Sequence, residues 1–462
     1  MTKIAVVGAG QAGLLAAHAL HDAGYSVTLY SDKTPEDFLE RSRPTGTAGR
    51  FNMSIEWERE LGLAHWDEEA DFADGVFLTL AFEPRVPVLT LLGRLSGDFC
   101  AIDVRLQSAS WMRELAEKGA QVEIEEVTVE RLDEITGEND LTIVATGKGE
   151  IQRLFPVDGD RTTYQTPQRQ LGMVNVTGIP IEIPYAPHIL PIKFNAYPPF
   201  GEAFWVPWFS KDHKHCWSLV FEGKEGGPID KFRDVSSVDE AWTAAKGVIE
   251  ELMPWDYEWL RDAEPVDENA WQRGAFAPTV RKPVASLPSG RNALALGDAA
   301  QTLDPIGGQG ANNGNKMAKN LVECILERGD GPFDPEWMQS TFDRFWDRHR
   351  HIEMWNNTLL EPMPESGMKF QQAAYGASGR ADDTSPQQRL ANFFVDIWDD
   401  PVNFAEEFHD NAAVEAKIAE VFGTDSAEGP IREGAEKIDA AMERQQRGEP
   451  PRHPGYADQI YT

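Results

Sequence analysis

The chain begins with KIAVVGAGQAGLLAAHALHDAGYSVTLY, and this run restricts the fold more than any later stretch. Lys3 to Val7 is a short apolar, β-branched segment, three glycines follow, and LLAAHALHDAG then carries apolar residues at helical spacing up to Gly24. SVTLY reads as a second strand. Strand, glycine turn, helix, strand is the start of a βαβ unit, so the sheet it founds is parallel and the fold class is α/β. In that setting Gly8, Gly10 and Gly13 fit a dinucleotide fingerprint. The first glycine permits the tight turn, the second lets a pyrophosphate approach the helix N-terminus, and the third allows close packing of helix on strand. Gln11 and Ala12 belong to the same helix start. An adenosine ribose is held about 20 residues further on. That position is Ser31, with Asp32 next, and either side chain can bond a hydroxyl; the alternative for Asp32 is a solvated turn residue.

A second stretch raises the same question late in the chain. GDAAQTLDPIGGQGANNGNKMAKNL, residues 297 to 321, places glycine and asparagine directly in front of a helix, which weakens the helix unless the backbone must approach something closely. The strand NALALGD precedes it, so Asp298 sits at a strand end and GGQGAN opens a helix. Two such elements, so far apart in sequence, suit one long cofactor. Between them, DLTIVATGKG gives a further buried strand, and residues 160 to 275 are rich in proline and aromatics. There GEAFWVPWFSKDHKHCWSLVFEG alternates about a turn-like SKDHKH, which predicts an antiparallel hairpin. Apolar residues at helical spacing after 335 predict a helical end, and the segment after Phe422 is polar, reading as a mobile tail. The expected division is a discontinuous cofactor domain, 1–155 and 276–334, a substrate domain over 156–275, a helical region over 335–423, and the tail 424–462.

Charge and cysteines narrow the partners. Asp and Glu number 76 against 43 Lys and Arg, a net charge of −33, which argues against nucleic acid and anionic membranes, although a saline habitat gives the same surface. Cys100, Cys216 and Cys324 are odd in number and far apart, as in a reducing compartment. With neither an apolar run of about 18 residues nor a leader-like start, the expected location is the cytoplasm. His213/His215 and His349/His351 lack supporting ligands at metal spacing, so no metal is expected.

The two glycine stretches together resemble flavoproteins of the aromatic hydroxylase architecture. Within it, DPIGGQGAN after GDAAQT with Gln301, ATGK at 145 to 148, and AIDVRLQ at 101 to 107 resemble the styrene and indole monooxygenase family. The resemblance implies a Rossmann-type FAD-binding domain, a mainly antiparallel β-sheet substrate domain and a helical C-terminal region. It also implies that the strand ending in ATGKG carries Thr146 where single-component hydroxylases have the aspartate of an Asp-Gly pair. No second GxGxxG offers a nicotinamide site. The implied enzyme is therefore the epoxidase component of a two-component system. It takes reduced FAD from a separate NADH-dependent flavin reductase, forms a flavin C4a-hydroperoxide with dioxygen and epoxidises a styrene- or indole-like alkene, a small apolar aromatic. A homodimer is compatible with this scheme. The alternatives are a single-component NAD(P)H-dependent aromatic hydroxylase and a flavin-dependent reductase or cyclase without dioxygen activation. A halogenase lacks support, because no W-x-W-x-I-P stretch occurs.

The same resemblance nominates residues. Arg105 and Gln107 stand at a helix start on the cofactor, the arginine bracing the FAD phosphates, with a surface ion pair as the alternative for Arg105; Thr146, Gly147 and Asp298 lie along the cofactor. Pro305, Gly308, Gln309, Gly310, Ala311 and Asn312 present backbone to the flavin, whose reduced form a helix N-terminus stabilises. Ile306, Gly307 and Gly308 border the reacting centre, Ile306 against substrate or, alternatively, as packing. Arg43 and the loop up to Asn52 face flavin and substrate, although TGTAGRFN departs from the asparagine and histidine pattern of styrene enzymes, with Asn52 as partial substitute. Phe204, Trp205, Trp208, Phe209 and Trp217 build either a core or a pocket wall.

Overall fold

The computed structural model describes residues 1–147 and 149–447. Two compact units emerge: one comprises Met1–Glu69, Ile102–Gln168 and Phe276–Glu353, the other Ala70–Ala101, Arg169–Ala275 and the chain from Met354.

The first unit is built on a six-stranded sheet in the order Val284–Ser286, Asn292–Ala295, Leu141–Val144, Lys3–Val7, Ser26–Ser31, Gln121–Ile124. All neighbours are parallel except the edge pair Val284–Ser286 and Asn292–Ala295. The central strand Lys3–Val7 is apolar at four of its five positions because both faces of a parallel sheet are covered, and Ile4 to Val6 are fully buried. Helix Gln11–Asp22 returns the chain from the first strand to the second, as the opening run predicts. It packs against helix Gly310–Arg328.

The second unit carries a sheet in the order Glu264–Pro265, Gln170–Thr177, His215–Gly223, Gly201–Phe209, Pro191–Tyr197, Phe72–Glu83, Val86–Ala101. Its pairings are antiparallel apart from Pro191–Tyr197 with Phe72–Glu83. The hairpin about SKDHKH forms as expected, Phe209 facing His215 across the turn. Strand alternation splits its aromatics between two faces. Trp205 and Trp217 enter the core that holds helices Val238–Leu252 and Pro254–Leu260, whereas Phe204 points the other way and stacks on Phe194 at 5.5 Å.

Three boundaries differ from the sequence expectation. Residues 70–101 belong to the second unit, because they form its long hairpin, while 156–168 and 335–353 belong to the first. The tail is also more ordered than its polarity suggests: Glu428–Gln446 is a helix. Gly434 and Ala441 on it and Ala427 just before it, seven residues apart, are buried, and a Cβ on Gly434 would meet the Gln372 carbonyl at 1.8 Å. Small residues give this close approach, so the packing face carries little apolar signal. The remaining tail expectation, 448–462, lies outside the described residues. Among the described residues no helix is long and apolar enough to cross a membrane.

Candidate active site

The site grows from three turns at the carboxyl ends of adjacent parallel strands, where open α/β sheets bind ligands. After Lys3–Val7 comes GAGQAG, after Leu141–Val144 comes ATG, and after Asn292–Ala295 comes GD. They are pressed together. Gly8 adopts φ +122°, and a Cβ there would lie 2.8 Å from the Ala145 carbonyl carbon. A Cβ on Gly13 would sit 2.2 Å from the Gly8 oxygen, and one on Gly147 would meet the Asp298 Cβ at 2.4 Å. Ala12 completes the join, 3.4 Å from a Cβ built on either Gly297 or Gly314. Gly10 is the exception, exposed and facing open space.

The late glycine stretch behaves like Gly10. Gly308 turns the chain at φ +62°, closing a single helical turn over Pro305–Gly307, and helix Gly310–Arg328 starts two residues later. Gly308 and Gly310 are exposed, and a Cβ on either would meet nothing within 4 Å. Helix Gly310–Arg328 and helix Gln11–Asp22 both begin without a side-chain cap, as do Asn52–Glu60, Pro254–Leu260 and Glu365–Ala373, but only these two join that to glycines whose built Cβ meets nothing, whereas Thr34, Asp103, Thr128, Ser237, Ser385 and Asp410 cap other helices. The first turn of an uncapped helix has N–H groups free of intrahelical partners and a partial positive charge. Two such ends, with bare backbone beside them, suit the phosphates and the electron-rich ring system of a flavin dinucleotide.

Several nominated side chains have other work. Arg105 is fully buried and paired with Asp103, its Nη2 2.8 Å from Oδ2, and its Nη1 donates to the Ser42 carbonyl at 3.3 Å. It is neither a surface ion pair nor a group pointing at solvent. Asp103 also caps its helix by accepting from the Arg105 N–H, a role that an aspartate before a helix signals in sequence. Gln107 accepts from Gln11 Nε2 at 2.6 Å, tying two helix starts together, and its own Nε2 is buried without a hydrogen-bond partner. That orphan donor, beside the fingerprint helix, is the kind of group a ligand oxygen satisfies. The Ser31 hydroxyl turns onto the Lys33 carbonyl at 2.8 Å, and Asp32 is exposed beside Lys33. Thr146 is half-buried at its strand end, Asp298 and Arg43 are exposed, and Asn52 opens helix Asn52–Glu60. Ala311 is half-exposed and Gln309 buried. Ile306 is buried, its N–H donating to Asp304 at 3.2 Å.

Asn312 is the clearest revision. Its side chain is enclosed, with Oδ1 accepting from the Phe51 N–H at 2.8 Å and the Ser54 hydroxyl at 3.0 Å. Its Nδ2 donates to the carbonyls of Gly49 and Gly308, at 3.1 and 3.0 Å. Every polar valence is taken by protein, so a cofactor finds only the backbone of this residue.

Two buried charge clusters escaped the sequence analysis. Beneath the TGTAGRFN loop, Arg50 and Glu58 are almost fully enclosed, Nε 2.7 Å from Oε1 as an ion-pair contact out of line for a directed hydrogen bond. Burial pushes the Glu58 carboxyl up to about 7, against the pull of Arg50. In the second unit, enclosed Lys193 donates to Thr79 at 2.8 Å and Asn195 at 2.7 Å, and burial pushes its ammonium down to about 8. Asp256, 3.9 Å away, accepts from Asn195, Trp205 and Tyr185, which fastens helix Pro254–Leu260 to the sheet. Neither cluster carries a motif, since each pairs residues that look solvated when read singly.

Comparison with known proteins agrees with this geometry. Residues 147–259 match the family model described as the styrene monooxygenase A putative substrate binding domain. A styrene monooxygenase StyA of Pseudomonas fluorescens is 25% identical over 368 residues, covering 78% of this chain and 86% of the relative. Among solved structures, a flavoprotein/dehydrogenase from Cytophaga hutchinsonii superposes with a TM-score of 0.58 at 13% identity, over 91% of this chain and 98% of that one. A 2-methyl-3-hydroxypyridine-5-carboxylic acid oxygenase does so with a TM-score of 0.54 at 15% identity, over 87% and 98%. Kinship in sequence and likeness in fold converge: the chain is similar in sequence to styrene monooxygenases and shares the fold of these flavoprotein and oxygenase structures.

Proposed function

We propose that this chain is the oxygenase of a two-component monooxygenase, receiving reduced FAD from a separate NADH-dependent flavin reductase and epoxidising a small apolar aromatic alkene of the styrene or indole type. The observation that carries the proposal is the pair of uncapped helix starts, each with open backbone at Gly10 or at Gly308 and Gly310. Bound reduced flavin supplies dioxygen activation and the transferable oxygen atom. The residues of the chain bind, orient and keep water away. Gly10 to Gly13 and the Gln107 amide hold the pyrophosphate end; Thr146, Gly147 and Asp298 lie along the ribityl portion; the amides of Gly310 to Asn312 meet the ring and favour negative charge on it. Ile306 sets substrate fit through apolar contact. No acid–base pair is required, because the alkene itself is the nucleophile.

Thr146, in place of an aspartate between flavin and nicotinamide, favours an external reductase over direct reduction. The test is NADH oxidation by the purified chain with FAD and styrene, with and without an added flavin reductase, alongside chromatography of the products. Epoxide formation and NADH consumption are expected only with the reductase. Rapid reduction of FAD by NADH or NADPH in the chain alone would establish the single-component reading, and flavin turnover without oxygenated product would favour a reductase or cyclase.

A further inference from the structure

The TGTAGRFN loop contains a strained residue held in place by buried charge. Ala48 adopts φ +54°, a left-handed conformation that residues with a Cβ rarely occupy and that persists only where surroundings over-determine it. The Arg50 Nη1 donates to the Ala48 carbonyl at 3.0 Å, while its Nε lies against Glu58. Asn312, in the first turn of helix Gly310–Arg328, grips the chain on either side of Arg50 through the Gly49 carbonyl and the Phe51 N–H. One turn further along that helix, the Asn315 Nδ2 reaches the Glu58 Oε1 at 3.5 Å. Helix Gly310–Arg328 and the strained loop are thus locked to one another through enclosed Arg50 and Glu58. Burying such a pair is weak evidence for stability, since desolvation offsets most of the attraction. It does specify one arrangement.

We propose that Arg50, seated on Glu58, is a positioning residue for the flavin: it holds Ala48 to Phe51 in register with the amide end of helix Gly310–Arg328. This rests on the flavin reading above. Arg50 acts through backbone, not by touching substrate.

Arg50→Lys is the informative variant, because lysine keeps a cation beside Glu58 yet lacks the planar fork that contacts Glu58 and the Ala48 carbonyl together. Glu58→Gln, which retains an oxygen for Arg50, is the conservative control. Two readouts are compared in the full chain: amide hydrogen exchange of Gly49 to Phe51 without ligand, and the midpoint potential of bound FAD. In Arg50→Lys, exchange of the Phe51 amide should accelerate at least tenfold. The ratio of affinities for oxidised and reduced FAD should change by about tenfold, read as a shift of about 30 mV for two electrons. Glu58→Gln should move both far less. Unchanged exchange in a folded Arg50→Lys protein overturns the clamp, and faster exchange with an unmoved potential overturns its role toward flavin. Failure of the wild-type chain to bind FAD would sink the functional reading instead, and is told apart because the exchange arm needs no flavin.

Discussion

The two glycine-bearing helix starts look alike in sequence and differ in what their glycines serve. In GAGQAG, Gly8 and Gly13 are demanded by the protein itself, since a side chain on either would drive into backbone, and only Gly10 is left for a ligand. In DPIGGQGAN the balance reverses. Gly308 and Gly310 meet no protein atom within 4 Å of a built Cβ, so packing gives no reason for the absence of a side chain at Gly310. A fingerprint turn is thus mostly scaffold with one point of ligand approach, whereas the later stretch is mostly approach, with its scaffolding moved to Asn312, Arg50 and Glu58.

The largest effect should come from breaking the scaffold. Gly13→Ala places a methyl 2.2 Å from the Gly8 oxygen and 3.0 Å from the Ala145 Cβ, where helix Gln11–Asp22 presses on the turns that end two parallel strands. A loss of about 3 kcal/mol is expected, at the upper end of overpacking costs, measured by urea or thermal unfolding. A variant of wild-type stability would show that the turn has slack and that the sequence pattern there answers to ligand alone.

That first turn was legible in the sequence because its requirements are local: tight turn, helix start and adjacent strand all lie within thirty residues. The Rossmann-type sheet and the hairpin about SKDHKH followed from the same kind of short-range period. What was not legible depends on long-range partners or on small residues. Arg50 and Glu58 sit in GRFNMSIEWERE among charges that read as a solvated face, and only the fold encloses them. The helix Glu428–Gln446 packs through Gly434 and Ala441, with Ala427 buried just before it, and these small residues carry almost no hydropathy signal. Arg105 is nominated from the sequence as a brace for FAD phosphates, yet the buried Asp103 that claims its guanidinium, two residues away, carries no pattern that singles it out as that partner.

The next effect sharpens the comparison by loosening the props of the later stretch with pH. Glu58 has its carboxyl raised from an ordinary 4.5 to about 7 by burial. Between those values the folded chain binds a proton that the unfolded chain has released, so unfolding free energy falls as pH rises. The contribution of Glu58 is whole below pH 4.5 and lost by about pH 7, amounting to about 3 kcal/mol for a fully enclosed group. Glu58→Gln removes this titration. Stability curves of wild type and variant should therefore run together near pH 4.5 and part as pH rises, the variant gaining relative to wild type. Parallel curves from pH 4.5 to 8 would mean that Arg50 keeps the carboxylate ionised throughout, and that the later cradle rests on a permanent ion pair.

The smallest change in stability should carry the sharpest information about where a ligand lies. Gly310 begins helix Gly310–Arg328 without positive φ, and a Cβ built there meets nothing, so Gly310→Ala introduces no strain. Alanine loses less backbone freedom on folding and favours helix, which should raise stability by about 0.5 kcal/mol. If the open space is where flavin approaches the first-turn amides, the same methyl should weaken FAD binding about tenfold, the scale of one displaced close contact. Stability and affinity then move in opposite directions, a pairing that a purely structural glycine cannot produce. The measurement is a thermal melt of the ligand-free chain beside a fluorescence titration with FAD. A more stable variant with unaltered affinity would place the flavin away from Gly310 and return the approach role to Gly308, whose φ of +62° would then be the feature that shapes the seat.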